Sequence, residues 1–161
     1  MPSAATPAVT PLAIARCTWA ALPMTTRAAL IGSGPTIGDI GQAMGNLSPA
    51  LMALAQSQCP EPPNQVVAEA SKDAWAGVVM TSWAQGELTA RYGVASPALL
   101  KAWSHVPLAT RQQIGAGFDR TPETVRPTVA TFAAELHLTD PAAMDLLSAW
   151  SIAQLRLSAL N

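Results

Sequence analysis

Charge is the scarcest property of this 161-residue chain: Asp, Glu, Lys and Arg together make up only 12% of it. Nine basic residues against ten acidic ones leave a net charge of −1. No broad field exists to hold a polyanion, so nucleic acid is not an expected partner. Aromatic residues are also few, with one Tyr and two Phe beside five Trp. No run of about 20 uninterrupted apolar residues is present, which excludes a spanning helix of ordinary length. The chain lacks a Gly-x-Ser-x-Gly elbow, a P-loop lysine and any Cys-x-x-Cys, and has only two histidines, His105 and His137. These gaps remove the local signatures of serine hydrolases, nucleotide binding, zinc sites and dithiol redox chemistry. No metal or cofactor is therefore expected, and catalysis is less expected than binding.

What remains is apolar and small. Half of the residues are hydrophobic, and 32 are Ala. That is too apolar for disorder and favours helix over strand. The excess of Arg over Lys, with so much Ala, fits a GC-rich bacterial coding sequence. The first eleven residues, MPSAATPAVTP, carry neither the basic nor the apolar region of a signal peptide. They resemble the linker that follows a cleaved signal, which would lie upstream of residue 1.

Cys17 and Cys59 are the only cysteines. Cys17 falls in the first predicted helix, and Cys59 falls just past a later one, where Pro60 stops it. Two buried free thiols are one reading. A disulfide is the preferred one; it would close a loop of about 43 residues, stabilise by about 4 kcal/mol, and imply an oxidising compartment.

Helix boundaries are written in the prolines. A capping residue precedes Pro at Thr10-Pro11, Ser48-Pro49, Ser96-Pro97, Thr121-Pro122 and Asp140-Pro141. The side-chain oxygen accepts from a free backbone N–H of the first turn, and Pro at the first helical position has no N–H to leave unpaired. Between these signals the apolar spacing is helical: Val125, Val129, Phe132 and Leu136 form one stripe, Trp75, Val79 and Trp83 another, and Met144, Leu147 and Trp150 a third. A long helix is expected from about Asn64 to Tyr92, ended by Gly93 in the left-handed conformation. The expected fold is an all-α compact bundle of seven or eight short helices.

Two stretches echo each other. Trp19, Pro23, Thr26 and Arg27 recur at the same spacing as Trp103, Pro107, Thr110 and Arg111. Later, LSPALMAL (47–54) is matched by LTDPAAMDLL (138–147). This suggests half-repeats of about 11–58 and 97–161, pseudo-symmetric around the connecting helix at 64–92. Together they form one domain over 10–161 behind a flexible segment at 1–9. Pro23 and Pro107 are expected to break one helix and start the next.

Arg27 and Arg111 are candidates for binding a carboxylate or phosphate. Their structural alternative is to cap helix C-termini or to pair with Asp39, Asp119 or Glu123. Trp19 and Trp103 are read as packing anchors, with an exposed binding platform as the lesser role. The glycines of GSGPTIG (32–38) read as a flexible turn, and the charged residues Asp119, Arg120 and Glu123 as a solvated loop.

The segment TIGDIGQAMGNLSPALMALA (36–55) resembles the helix-turn-helix of small bacterial transcription regulators. The likeness lies in its Thr-Ile-x-Asp-Ile opening, Ala43, Gly45 in the turn and Ser48 at the second helix. It implies a DNA-binding regulator, with SPALMALAQSQC as the recognition helix. That helix has no Lys or Arg to anchor phosphate. The preferred reading is a small exported protein, periplasmic or secreted, that binds a protein or small molecule. The alternatives are a cytoplasmic DNA-binding regulator, or an enzyme whose site is assembled only in three dimensions.

Overall fold

The computed structural model describes residues 9–115 and 122–160; the side chains of 122–125 are outside the description. The described residues are all-helical, with nine helices and no strand. In chain order these are α1 (Pro11–Ala21), α2 (Met24–Ile31), α3 (Ile37–Gly45), α4 (Pro49–Ser57), α5 (Gln65–Tyr92), α6 (Ser96–Ser104), α7 (Leu108–Gly115), α8 (Pro122–Glu135) and α9 (Pro141–Ala159). There are more helices than the seven or eight expected, and two of them are long. The break expected at Pro23 is present: the residue takes φ −54° and ψ 144°, so α1 and α2 are separate helices.

Capping chemistry sets most of the boundaries. The side chains of Thr10, Ser48 and Asp140 accept from the backbone N–H groups of Ala13, Leu51 and Ala142. Asn64 does the same for α5, accepting from Val67 at 2.9 Å. Ser96 departs from this pattern. α6 begins at Ser96 itself, with Ala95 in the flanking position and no side-chain cap. The helix has taken in one residue more than the Ser-Pro signal indicates. Thr121 lies outside the described residues, as do Asp119 and Arg120 and the side chain of Glu123.

Two helix ends show the left-handed residue that closes an α-helix. Gly93 ends α5 with φ 68°. His137, just after α8, has φ 58°, and the next residue, Leu138, donates back to the Ala133 carbonyl at 2.9 Å. A side chain at this angle crowds the carbonyl, a cost glycine avoids. His137→Gly is therefore expected to stabilise the fold by about 0.5–1 kcal/mol, readable as a higher denaturant midpoint; an unchanged or lower midpoint would refute it.

α5 is the centre of the packing. α9 lies along it, α1 packs against it, and α8 covers the far side of α9. Val79, Trp83, Leu88, Leu147 and Trp150 are all essentially inaccessible within the main core. Two glycines permit the close approach. A Cβ at Gly77 would stand 2.8 Å from Leu157 Cδ2 on α9, and one at Gly86 would collide with Ile31 Cγ2 on α2. Between α8 and α9, Arg126 grips Asp145 through both carboxylate oxygens at 2.6–2.9 Å, a paired geometry that fixes orientation.

Tyr92, the last residue of α5, donates to Asp140 Oδ2 at 3.2 Å and so ties α5 to the start of α9. Its phenol is held above the usual 10.0, first by burial, then by the hydrogen bond to Asp140 and the carboxylate's charge; Glu87 adds to this and Arg91 opposes it. Because the folded value is raised, this stabilisation is complete below pH 10 and is lost as pH climbs through the folded value. Tyr92 is the sole tyrosine, so absorbance at 295 nm reports it alone among the phenols. The midpoint should fall above 10 and move down in Asp140→Asn, which keeps the helix cap while removing the charge. A wild-type midpoint at or below 10 would contradict the arrangement.

Candidate functional site

The two echoing stretches have like backbones. Leu22 and Val106, each just before its proline, donate to the carbonyls of Trp19 and Trp103, at 3.3 and 3.0 Å. Arg27 and Arg111 each donate their backbone N–H to the carbonyl of that proline, Pro23 and Pro107, at 3.0 Å. Leu22 and Val106 are also buried in the main core, while Met24 and Leu108, one residue beyond each proline, stand 76% and 71% exposed.

The side chains of the matched residues behave differently. Arg111 donates from Nη2 to the Trp103 carbonyl at 2.6 Å and from Nε to the Val106 carbonyl at 3.2 Å. Its guanidinium also lies 4.7 Å from the centre of the Trp103 ring. It therefore closes the C-terminus of α6 and stacks on an aromatic face. Arg27 makes no matching bond: its Nε is buried and meets no acceptor. Asp39, one of its expected partners, is occupied in a capping box with Thr36, accepting from its backbone N–H at 3.0 Å. Trp103 packs edge-on to Trp150 and against Phe132. Trp19 lies 6.0 Å from Trp75. The structure does not bring the four residues Trp19, Arg27, Trp103 and Arg111 together into one site.

The glycine turn at 32–38, expected to be flexible, is anchored. Trp83 Nε1 on α5 donates to the Gly34 carbonyl at 2.8 Å. Gly34 itself has φ 139°, and a Cβ there would collide with the Asp39 carboxylate. A buried indole thus fixes the turn between α2 and α3.

The residues that do converge surround the disulfide. Cys17 and Cys59 are bonded, with Cα atoms 5.8 Å apart. The bridge joins α1 to the segment after α4, and a cleft of about 510 Å³ opens beside it. Ile14, Ala15 and Thr18 of α1 form one wall, Met52, Gln56 and Ser57 of α4 another, and Ala68, Ser71, Lys72 and Trp75 of α5 a third. Cys59, Pro60, Glu61 and Pro62 close the side between α4 and α5. The hydroxyls of Thr18, Ser57 and Ser71 already donate to carbonyls of their own helices. Those hydroxyl protons are thus engaged, and the charged and amide groups lining the cleft are Gln56, Glu61 and Lys72. Volume and lining match those of small-molecule sites.

Other chemistry is thinner. His105 Nδ1 lies 2.5 Å from Glu135 Oε1 on an exposed surface. No described hydroxyl or thiol bonds to this histidine, so the pair has no nucleophile to activate. Among the described residues no three His, Cys, Asp or Glu are grouped as metal ligands, and no helix is long and apolar enough to cross a membrane. α3 and α4 do form two helices around a short turn, as the regulator resemblance implies, but Met52, Gln56 and Ser57 of α4 line the cleft. Compared with known proteins, the chain matches no family model, no curated protein and no solved structure.

Proposed function

We propose that this chain is a small exported protein, periplasmic or secreted, that acts by binding an amphipathic small molecule in the cleft beside its disulfide. The observation that carries the reading is the cleft itself, a largely apolar recess whose charged and amide groups are Gln56, Glu61 and Lys72. The Cys17–Cys59 bridge supports an oxidising compartment, where such bonds persist. Binding is favoured over catalysis because, among the described residues, the cleft's serine hydroxyls bond to backbone carbonyls and not to a base.

A neutral apolar dye, N-phenyl-1-naphthylamine, tests this. Its fluorescence should rise saturably on mixing with the protein. Ala68→Phe, which fills the cleft from α5, should weaken that binding at least tenfold while the melting midpoint stays within a few degrees. No saturable binding, or binding indifferent to both Ala68→Phe and Ser71→Leu, would defeat the proposal.

A further inference from the structure

We infer that the ligand of this cleft is an organic cation, one positive charge on a compact apolar body. The inference rests on the binding reading above and adds the ligand's chemical class. Two charged side chains line the cleft, Glu61 and Lys72, and their situations differ. Lys72 has a carboxylate partner: its Nζ lies 3.4 Å from Glu69 Oε1, one turn earlier on α5, in an exposed ion pair. That oxygen also accepts from Gln65 at 2.8 Å, which holds the carboxylate in place. Glu61 has no ion pair and no hydrogen bond among the described residues. The cleft is therefore left with one unanswered charge, and it is negative.

The surroundings suit a cation. Trp75 supplies an aromatic ring to the same cleft, and indole is the best side-chain face for a positive charge. Pro60 and Pro62 flank Glu61 and fix the φ of the segment that carries it. A carboxylate that shares a cleft with an indole attracts an ammonium group. The indole face needs no hydrogen-bond donor and the exposed Glu61 carboxylate keeps its water, so a quaternary ammonium suits both. An anion would have to share Lys72 with Glu69 and lie beside Glu61.

Three probes with the same ring separate the possibilities: benzyltrimethylammonium, benzyl alcohol and benzoate. Each is titrated into the oxidised protein while the five indole N–H signals are followed by NMR. The cation should bind tightest and shift the Trp75 signal. Its affinity should fall about tenfold in Glu61→Gln, the loss expected for one charge contact, and rise in Lys72→Gln, which leaves Glu69 unneutralised. Benzyl alcohol should be insensitive to both changes. If the three probes bind alike, or benzoate binds tightest, the cation inference is overturned while the cleft remains a binding site. If no probe moves the Trp75 signal, the cleft reading falls with it.

Discussion

Replacing Cys17 and Cys59 together by serine is expected to lower the melting midpoint by roughly 8–16 °C. The bridge spans a sequence separation of 42 residues, and constraining a loop of that length in the unfolded chain stabilises the fold by about 4 kcal/mol. For a chain of this size each kcal/mol moves the midpoint by about 2–4 °C. The loss should also be local at first. The bridge fastens the segment that follows α4 to α1, and that segment supplies Cys59, Pro60, Glu61 and Pro62 to the cleft. Dye binding should therefore weaken at temperatures where helicity is still intact. Thermal melts of wild type with and without a phosphine reductant, compared with the double serine variant, measure this. Coincident melts for all three would show that the bridge contributes nothing.

The second large effect is expected at Trp83. Its side chain is 1% exposed, in the centre of the core, and truncation to Ala should cost about 3–5 kcal/mol. Trp83→Phe separates the two roles of the indole. Phe keeps much of the apolar bulk but cannot donate to the Gly34 carbonyl, so it should cost less, about 1–3 kcal/mol. It should also increase amide exchange in the turn at 32–36 more than in α9. If Phe and Ala cost the same, the hydrogen bond to Gly34 dominates and the packing argument is wrong. If Phe costs nothing, the turn is held by something else.

These two sites illustrate what could and could not be read in advance. The pairing of Cys17 with Cys59 was readable because there were only two cysteines, one inside the first predicted helix and the other just past a later one, where Pro60 stops it. Thr10, Ser48, Asn64, Gly93 and Asp140 were readable for a related reason: each acts through backbone groups within a few residues of itself. Gly34 was not, because its anchor, Trp83, lies 49 residues away. Nor was the left-handed turn at His137, since nothing local distinguishes a histidine that must take φ 58° from one that need not. Glu61 and Trp75, taken singly, look like a loop acid and a core aromatic. They share a cleft only because α1 and α5 pack together and a disulfide draws the intervening segment across. Of the Arg roles the sequence offers, closing a helix end is realised at Arg111 and has no counterpart among the described bonds of Arg27.

The placement of α9 along α5 also sets a timetable for the ribosome. The apolar face of α5 carrying Val79 and Trp83 is finished early, yet part of its cover, Leu147 and Trp150, comes only with residues 141–159. At about 5–20 residues per second that leaves the face incompletely covered for several seconds of synthesis. Both cysteines have emerged well before then. In an oxidising compartment the N-terminal half can be cross-linked while the helix that seals its core is still being translated. The bond then holds α1 and α4 together through the interval in which burial is incomplete.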